Sequence, residues 1–167
     1  MEMIYYYTYQ TPIGIITIKA IDDEIVGCQF KSENIEGECL ETPIIQEAYQ
    51  QLNEYFQGKR QSFDLKFRFL KGTQFQQNVW KALLTIPYGE VVSYRDIAQM
   101  IGSPKAYRAV GNANHNNPIV VFVPCHRVIT ANHQIGGYAG GVETKVYLLE
   151  LEKKGKSYKE LTYEKND

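Results

Sequence analysis

Ile119-Val120-Val121-Phe122-Val123-Pro124-Cys125-His126-Arg127-Val128 is the stretch on which the reading turns. Its first five residues are an unbroken apolar run, the pattern of a buried strand. The run stops at a proline, and a cysteine with a histidine beside it follows at once. A thiol attacks only as thiolate, so a nucleophilic cysteine needs a base or a positive charge close by. His126 is of the right type. Neighbours on a strand point to opposite faces, however, so a turn or a bridging water must bring the ring round. A third group should orient the imidazole, and Glu143, Glu150 and Glu152 on the last predicted helix all qualify. The plain alternative is a small buried cysteine next to an unrelated histidine.

Upstream of this stretch the pattern is helical. Thr73 is placed to cap a helix with Phe75, Val79, Trp80 and Leu83 inward, and Ile86-Pro87-Tyr88-Gly89 breaks it. Ser93 with Asp96 three residues on reads as a capping box for a second helix, which Gly102 stops. Ser103-Pro104 then begins a third helix running to about Asn114, and the short turn between the two predicts a helix-turn-helix. It carries Arg95, Lys105 and Arg108, with the small residues Ala109, Gly111 and Ala113 on its second helix. Basic side chains meet phosphate and small ones let a helix backbone come close; a packed helix pair with solvated charges is the competing reading. Downstream, Gly136-Gly137-Tyr138-Ala139-Gly140-Gly141 is a glycine-rich loop before a helix over about 143–154, with a polar tail from Gly155.

The N-terminal part is β-rich. Ile4–Tyr9, Gly14–Ala20 and Glu24–Phe30 alternate or carry β-branched and aromatic residues, with turns at Thr11-Pro12-Ile13-Gly14 and Asp22-Asp23. A helix follows, capped by Thr42 with Pro43 at its first position and a stripe of Ile45, Ala48, Tyr49, Leu52, Tyr55 and Phe56. Ser62–Phe69 alternates as a strand. The expected organisation is an α+β domain over 1–71 and a mainly helical domain over 72–167.

Residues 1–70 hold 6 Lys/Arg against 11 Asp/Glu, while residues 71–167 hold 12 against 8. The second half is therefore the one suited to an anionic partner. The three cysteines, Cys28, Cys39 and Cys125, have no CxxC spacing, so neither a disulfide framework nor a zinc ribbon is expected. No apolar run reaches about 18 residues and no secretory leader is read at the start, so a cytoplasmic address without a membrane is expected, nucleoid-associated in a prokaryote.

From Phe75 to Gly155 the chain resembles the O6-alkylguanine-DNA alkyltransferases (methylated-DNA–protein-cysteine methyltransferases). The resemblance rests on Pro124-Cys125-His126-Arg127-Val128, Gly89-Glu90-Val91-Val92-Ser93-Tyr94, Pro104-Lys105-Ala106, Arg108-Ala109-Val110-Gly111, Asn117-Pro118 and Gly137-Tyr138-Ala139-Gly140-Gly141. The N-terminal part is similar to the family's ribonuclease-H-like domain only in its β-then-helix order. The resemblance implies direct-reversal DNA repair, with an alkyl group moved from O6 of guanine to Cys125 once per molecule; O4 of thymine stays open as a second source of the group. His126 is implied as the base, acting through a water, with Glu152 orienting it. Tyr94 is implied as proton donor to N3 of guanine. Arg108 would fill the place of the flipped nucleotide, with Ser93, Tyr94, Lys105, Ala109 and Arg127 also at the DNA. Val123, Pro124, Tyr138 and Ala139 would line the base pocket, and Asn117 would be a hinge. The implied partner is duplex DNA carrying O6-alkylguanine, held through the minor groove with little sequence preference, by a monomer that needs no cofactor and no metal.

Position 139 is Ala where many members have Ser, so a contact there must come from the backbone. Two other readings compete. Alkyltransferase-like DNA binders lack the cysteine, usually with Trp in its place, and Cys125 argues against them. A cysteine hydrolase using Cys125, His126 and Glu152 would not need the DNA motifs.

Overall fold

The computed structural model describes residues 2–153. The end of the last predicted helix at Lys154 and the polar tail from Gly155 lie outside the described residues. The chain divides into two compact units, one of Met1–Lys71 with Pro118–Phe122, the other of Gly72–Asn117 with the chain from Val123 onward.

In the first unit β1 (Tyr5–Thr11), β2 (Gly14–Ile21) and β3 (Glu24–Gln29) form an antiparallel meander. Two short strands, β4 (Glu38–Cys39) and β5 (Lys66–Phe67), add in parallel at its edges, giving the order β4-β1-β2-β3-β5. Ile16, Ile18 and Ala20 alternate along β2 and are buried with Ile25 and Val26 of β3. Helix α1 (Pro43–Phe56) covers this surface with Ile45, Ala48, Leu52, Tyr55 and Phe56. Tyr49 of the same stripe is half-buried and stacks on Tyr9, ring centroids 3.7 Å apart. Thr42 stands at the helix N-cap without a side-chain bond, so Pro43 at the first position is what starts the helix.

Ser62–Phe69 is strand only at Lys66–Phe67. The buried Gln51 side chain accepts from the Asp64 amide (2.9 Å) and donates to the Asp64 carbonyl (3.3 Å). A side chain thus satisfies backbone groups that a neighbouring strand would otherwise pair.

The apolar run before Cys125 is buried, as its composition dictates, but is not a strand. It makes one parallel bridge, Ile119 to Cys28, with Cys28 N–H donating to Pro118 O and Val120 N–H to Cys28 O. It then turns at Val121, whose φ of 69° is rare for a β-branched residue, and Phe122 N–H closes the turn on Val120 O at 2.8 Å. Burial without periodicity cannot distinguish a strand from such a turn.

The second unit contains α2 (Gln74–Leu83), α3 (Tyr94–Met100), α4 (Tyr107–His115) and α5 (Val142–Glu152). Both expected N-termini are built by capping boxes, Thr73 with Gln76 and Ser93 with Asp96. Helix α4 starts later than Ser103; Ser103–Ala106 closes a turn, with Ala106 N–H on Ser103 O at 2.9 Å. The Trp80 indole donates to Ala113 O at 2.8 Å and ties α2 to α4. A short parallel pair, β6 (Val92–Ser93) with β7 (Val128–Ile129), brings the start of α3 beside the chain that follows Cys125.

Candidate active site

Cys125 begins a single 3-10 turn, Cys125–Arg127. Pro124, at φ −82° and ψ 64°, bends the chain into an inverse γ-turn, and Cys125 N–H donates to Val123 O at 2.8 Å. The amide of Asn117 also donates to Val123 O, at 2.8 Å, and reaches the Cys125 thiol. Asn114 holds the other side of the turn by donating to Cys125 O at 3.2 Å. Both Cys125 and His126 are buried on this turn, and the Lys145 charge acts on each of them.

Cys125 is 3% exposed. Burial pushes its thiol up to about 11, against the Asn117 hydrogen bond, the charge of Lys145 and a backbone bond, all of which favour the thiolate. At neutral pH the sulfur is therefore protonated and requires a base. His126 is fully buried, and burial holds its pKa below the usual value despite the bond to Glu152. An imidazole kept neutral in this way is able to accept a proton. Nε2 of His126 lies 2.7 Å from Glu152 Oε2. Burial alone would raise Glu152, but His126 and Arg127 outweigh it and bring the carboxyl down to about 2. Of the three glutamates left open by the sequence, Glu152 is the one that faces His126.

Lys145 is a member of this site that sequence reasoning missed. It has no exposed surface, and its Nζ donates to Val128 O (2.6 Å) and Gly137 O (3.2 Å). Burial lowers it to about 8, with the Cys125 charge acting in the opposite direction. The helical spacing could have found it: Lys145, Leu148, Leu149 and Glu152 share one face of α5.

Tyr94, first residue of α3, faces the glycine-rich loop. A Cβ on Gly136 would sit 2.8 Å from the Tyr94 hydroxyl, and Gly136 has φ 76°, so both space and backbone call for glycine there. Burial and the Cys125 charge raise the phenol, which stays protonated. A cleft of about 100 Å³ is lined by Tyr94, Gly111, Asn114, His115, Gly137, Tyr138 and Ala139. Val123, Pro124 and Tyr138 are buried, and Ala139 is exposed.

On the helix-turn-helix Lys105, Arg108 and Ala109 are exposed, while Val110, Ala113 and Asn114 pack inward. The Ser93 hydroxyl is engaged as the α3 cap, accepting from Asp96 N–H at 3.0 Å. Arg127 departs from expectation. It is 7% exposed, donates to both Glu152 oxygens (2.8 and 3.1 Å) and to Ile86 O (2.7 Å), and cannot serve as a surface phosphate contact. Its neighbour in sequence is the buried His126, and Glu152 supplies the partner that a buried guanidinium needs.

Residues 4–69 match the ribonuclease-like domain, and residues 74–154 the DNA-binding domain, of the 6-O-methylguanine DNA methyltransferases. The chain belongs to this family. Among its relatives, the constitutive methylated-DNA–protein-cysteine methyltransferase of Bacillus subtilis strain 168 is 48% identical over 167 residues, covering 95% of this chain and 99% of that protein. The Mycobacterium bovis methylated-DNA–protein-cysteine methyltransferase is 48% identical over 155 residues, covering 90% and 93%. The structure of Mycobacterium tuberculosis OGT in complex with DNA superposes with a TM-score of 0.83 at 43% identity, covering 95% and 99%. The two-part architecture of this methyltransferase family is thus the one present here, and its second part matches the family's DNA-binding domain.

Proposed function

We propose that this methyltransferase-family chain repairs alkylated DNA by direct reversal, moving a methyl or larger alkyl group from O6 of guanine onto Cys125 Sγ, irreversibly. The observation that carries the reading is a buried turn in which Cys125 is followed by His126, the imidazole held 2.7 Å from Glu152, with the buried Lys145 ammonium acting on the thiol. A base stacked in a duplex hides O6, so the nucleotide must be extruded. Arg108, exposed on α4, fills the gap it leaves, and Lys105 meets phosphate. The helix enters the minor groove, whose poor sequence information suits a lesion that occurs anywhere. The protein acts as a monomer, in the cytoplasm.

In the transfer, His126 takes the Cys125 proton through a water while Glu152 holds the ring. The sulfur lone pair forms the S–C bond as the C–O6 bond breaks, and N3 of guanine receives the Tyr94 proton. The His126 proton then makes good the phenolate through solvent. Lys145 and Asn117 steady the thiolate while it exists. The product is a thioether, which thiol exchange does not cleave.

Intact mass after incubation with a defined O6-methylguanine duplex tests the proposal. The expected result is one added methylene mass per chain, located on Cys125 and absent from Cys125→Ala. Turnover without an adduct would show hydrolysis and defeat it, as would methylation of Cys28 or Cys39 in that variant.

A further inference from the structure

The fork between Arg127 and Glu152 is more than a packing contact. Among the described residues Glu152 accepts from His126 on Oε2, Arg127 Nε on Oε1, an Arg127 terminal nitrogen on Oε2, and the Gly89 amide on Oε1 at 3.2 Å. Arg127 is itself fixed by Ile86 O and by the Tyr88 ring, 5.8 Å from its guanidinium carbon. Two donors from one planar group fix a carboxylate in direction as well as position.

We propose that Arg127 is a positioning residue, whose guanidinium occupies both oxygens of Glu152 so that the pair aims His126 without leaving a net negative charge beside it. This rests on the reading of His126 as the base for Cys125. A lone buried carboxylate against an imidazole favours the protonated ring, and a protonated ring cannot take the thiol proton. The Arg127 charge opposes that effect, in the same direction as burial and Lys145. The groups that face His126 are few. Among the described residues they are Glu152 and Lys145 from α5; Arg127 from its own turn, where Cys125 is the preceding residue; and from the glycine-rich loop the Tyr138 ring, 6.5 Å between centroids. Helix α2 also packs on the turn, but its one charged residue, Lys81, is exposed.

The Ile86–Gly89 turn gives the pair a second consequence. It is held by Arg127 through Ile86 O, by Glu152 through the Gly89 amide, and by Lys153 through Gly89 O at 3.1 Å. Five residues beyond Gly89 stands Tyr94. The same ion pair therefore orients the base and anchors the approach to the proton donor.

The test is the pH dependence of Cys125 alkylation by free O6-benzylguanine, which removes DNA contacts from the readout. Single-turnover rates are measured from pH 5 to 9 for wild type, Arg127→Gln, Arg127→Lys, the double variant Arg127→Gln/Glu152→Gln, and His126→Gln. In wild type the rate should fall on the acid side, and His126→Gln should abolish that limb. Arg127→Gln should move the limb about one pH unit or more to higher pH, since an uncompensated charge at this range shifts a neighbour by about 1–3 units. The double variant, which removes both charges, should bring it back, and Arg127→Lys should hold it near wild type. Should Arg127→Gln fail to fold, the double variant and Arg127→Lys carry the decision: either one with a limb displaced upward by a full unit overturns the proposal. A folded Arg127→Gln that is slower by one factor at every pH, its limb unmoved, also overturns it and leaves the base reading intact. An acid limb that survives in His126→Gln overturns the base reading itself.

Discussion

Lys145 and Cys125 face each other inside the second unit, an ammonium without solvent exposure beside a thiol of 3% exposure. Each alters the other's ionisation: the ammonium eases loss of the thiol proton, and the thiolate steadies the ammonium. The arrangement favours the state that exists only when the sulfur is about to react.

Lys145→Met removes that charge and keeps the stem volume. An opposite charge at contact range is worth about 1–3 pKa units, so alkylation by O6-benzylguanine at pH 7 should slow by about tenfold or more. Because Lys145 titrates at about 8, its help fades as pH rises past that value. The ratio of wild-type to variant rate should therefore shrink above pH 8. A constant ratio from pH 6 to 9 would show that the lysine only fills space.

Glu152 predicts a stability loss in acid. Its folded value of about 2 lies below the ordinary 4.5, so its contribution is complete above pH 4.5 and disappears as pH falls toward 2. Since 1.36 kcal/mol corresponds to one unit, the amount is on the order of 3 kcal/mol. Urea unfolding at pH 6, 4 and 3 should show this decline in wild type and a flatter dependence in Glu152→Gln. That variant should also be weaker at pH 7, by roughly 3–5 kcal/mol, because Arg127 keeps a buried charge with no carboxylate. Parallel pH curves for the two proteins would contradict the assignment.

Arg108→Ala separates extrusion from chemistry. Arg108 is exposed on α4, and extruding a nucleotide costs a few kcal/mol that a filling side chain offsets in part. Repair of an O6-methylguanine duplex should slow by about tenfold or more, while reaction with free O6-benzylguanine stays within about twofold of wild type. Equal losses on both would assign the arginine to the fold.

Tyr94→Phe keeps the ring and removes the donor. General acid help is commonly worth about 10²–10⁴-fold, so the single-turnover rate on bound duplex should drop by something in that range with affinity little changed. A wild-type rate would refute proton donation from this phenol.

Local chemistry was the legible part of the sequence. The Ser93–Asp96 capping box and the Thr73 cap stand as expected, and Gln76, three residues on, completes a second box at Thr73. The β1–β2–β3 meander follows from alternation and turn residues. What depends on distant partners was harder to read. The Gln51 amide paired to Asp64 shortens a strand that alternation alone would extend. Ile119–Val123 is apolar enough for a strand but reverses at Val121. Arg127 looks like a surface cation until Glu152, 25 residues on, is known to receive it. Lys145 looks solvated until the whole inward face of α5 is drawn.

The three thiols of this chain stand at very different depths: Cys28 has no exposed surface, Cys125 has 3%, and Cys39 lies open on β4. Burial also raises the thiols of Cys28 and Cys125. Common labelling reagents need both access and a thiolate, so the native protein offers them Cys39 alone. Titration with a chromogenic disulfide should count one thiol in buffer and three in urea. A maleimide dye could then be fixed at Cys39, turning the protein into a fluorescent reporter whose acceptor sulfur is still unused when the damaged duplex arrives.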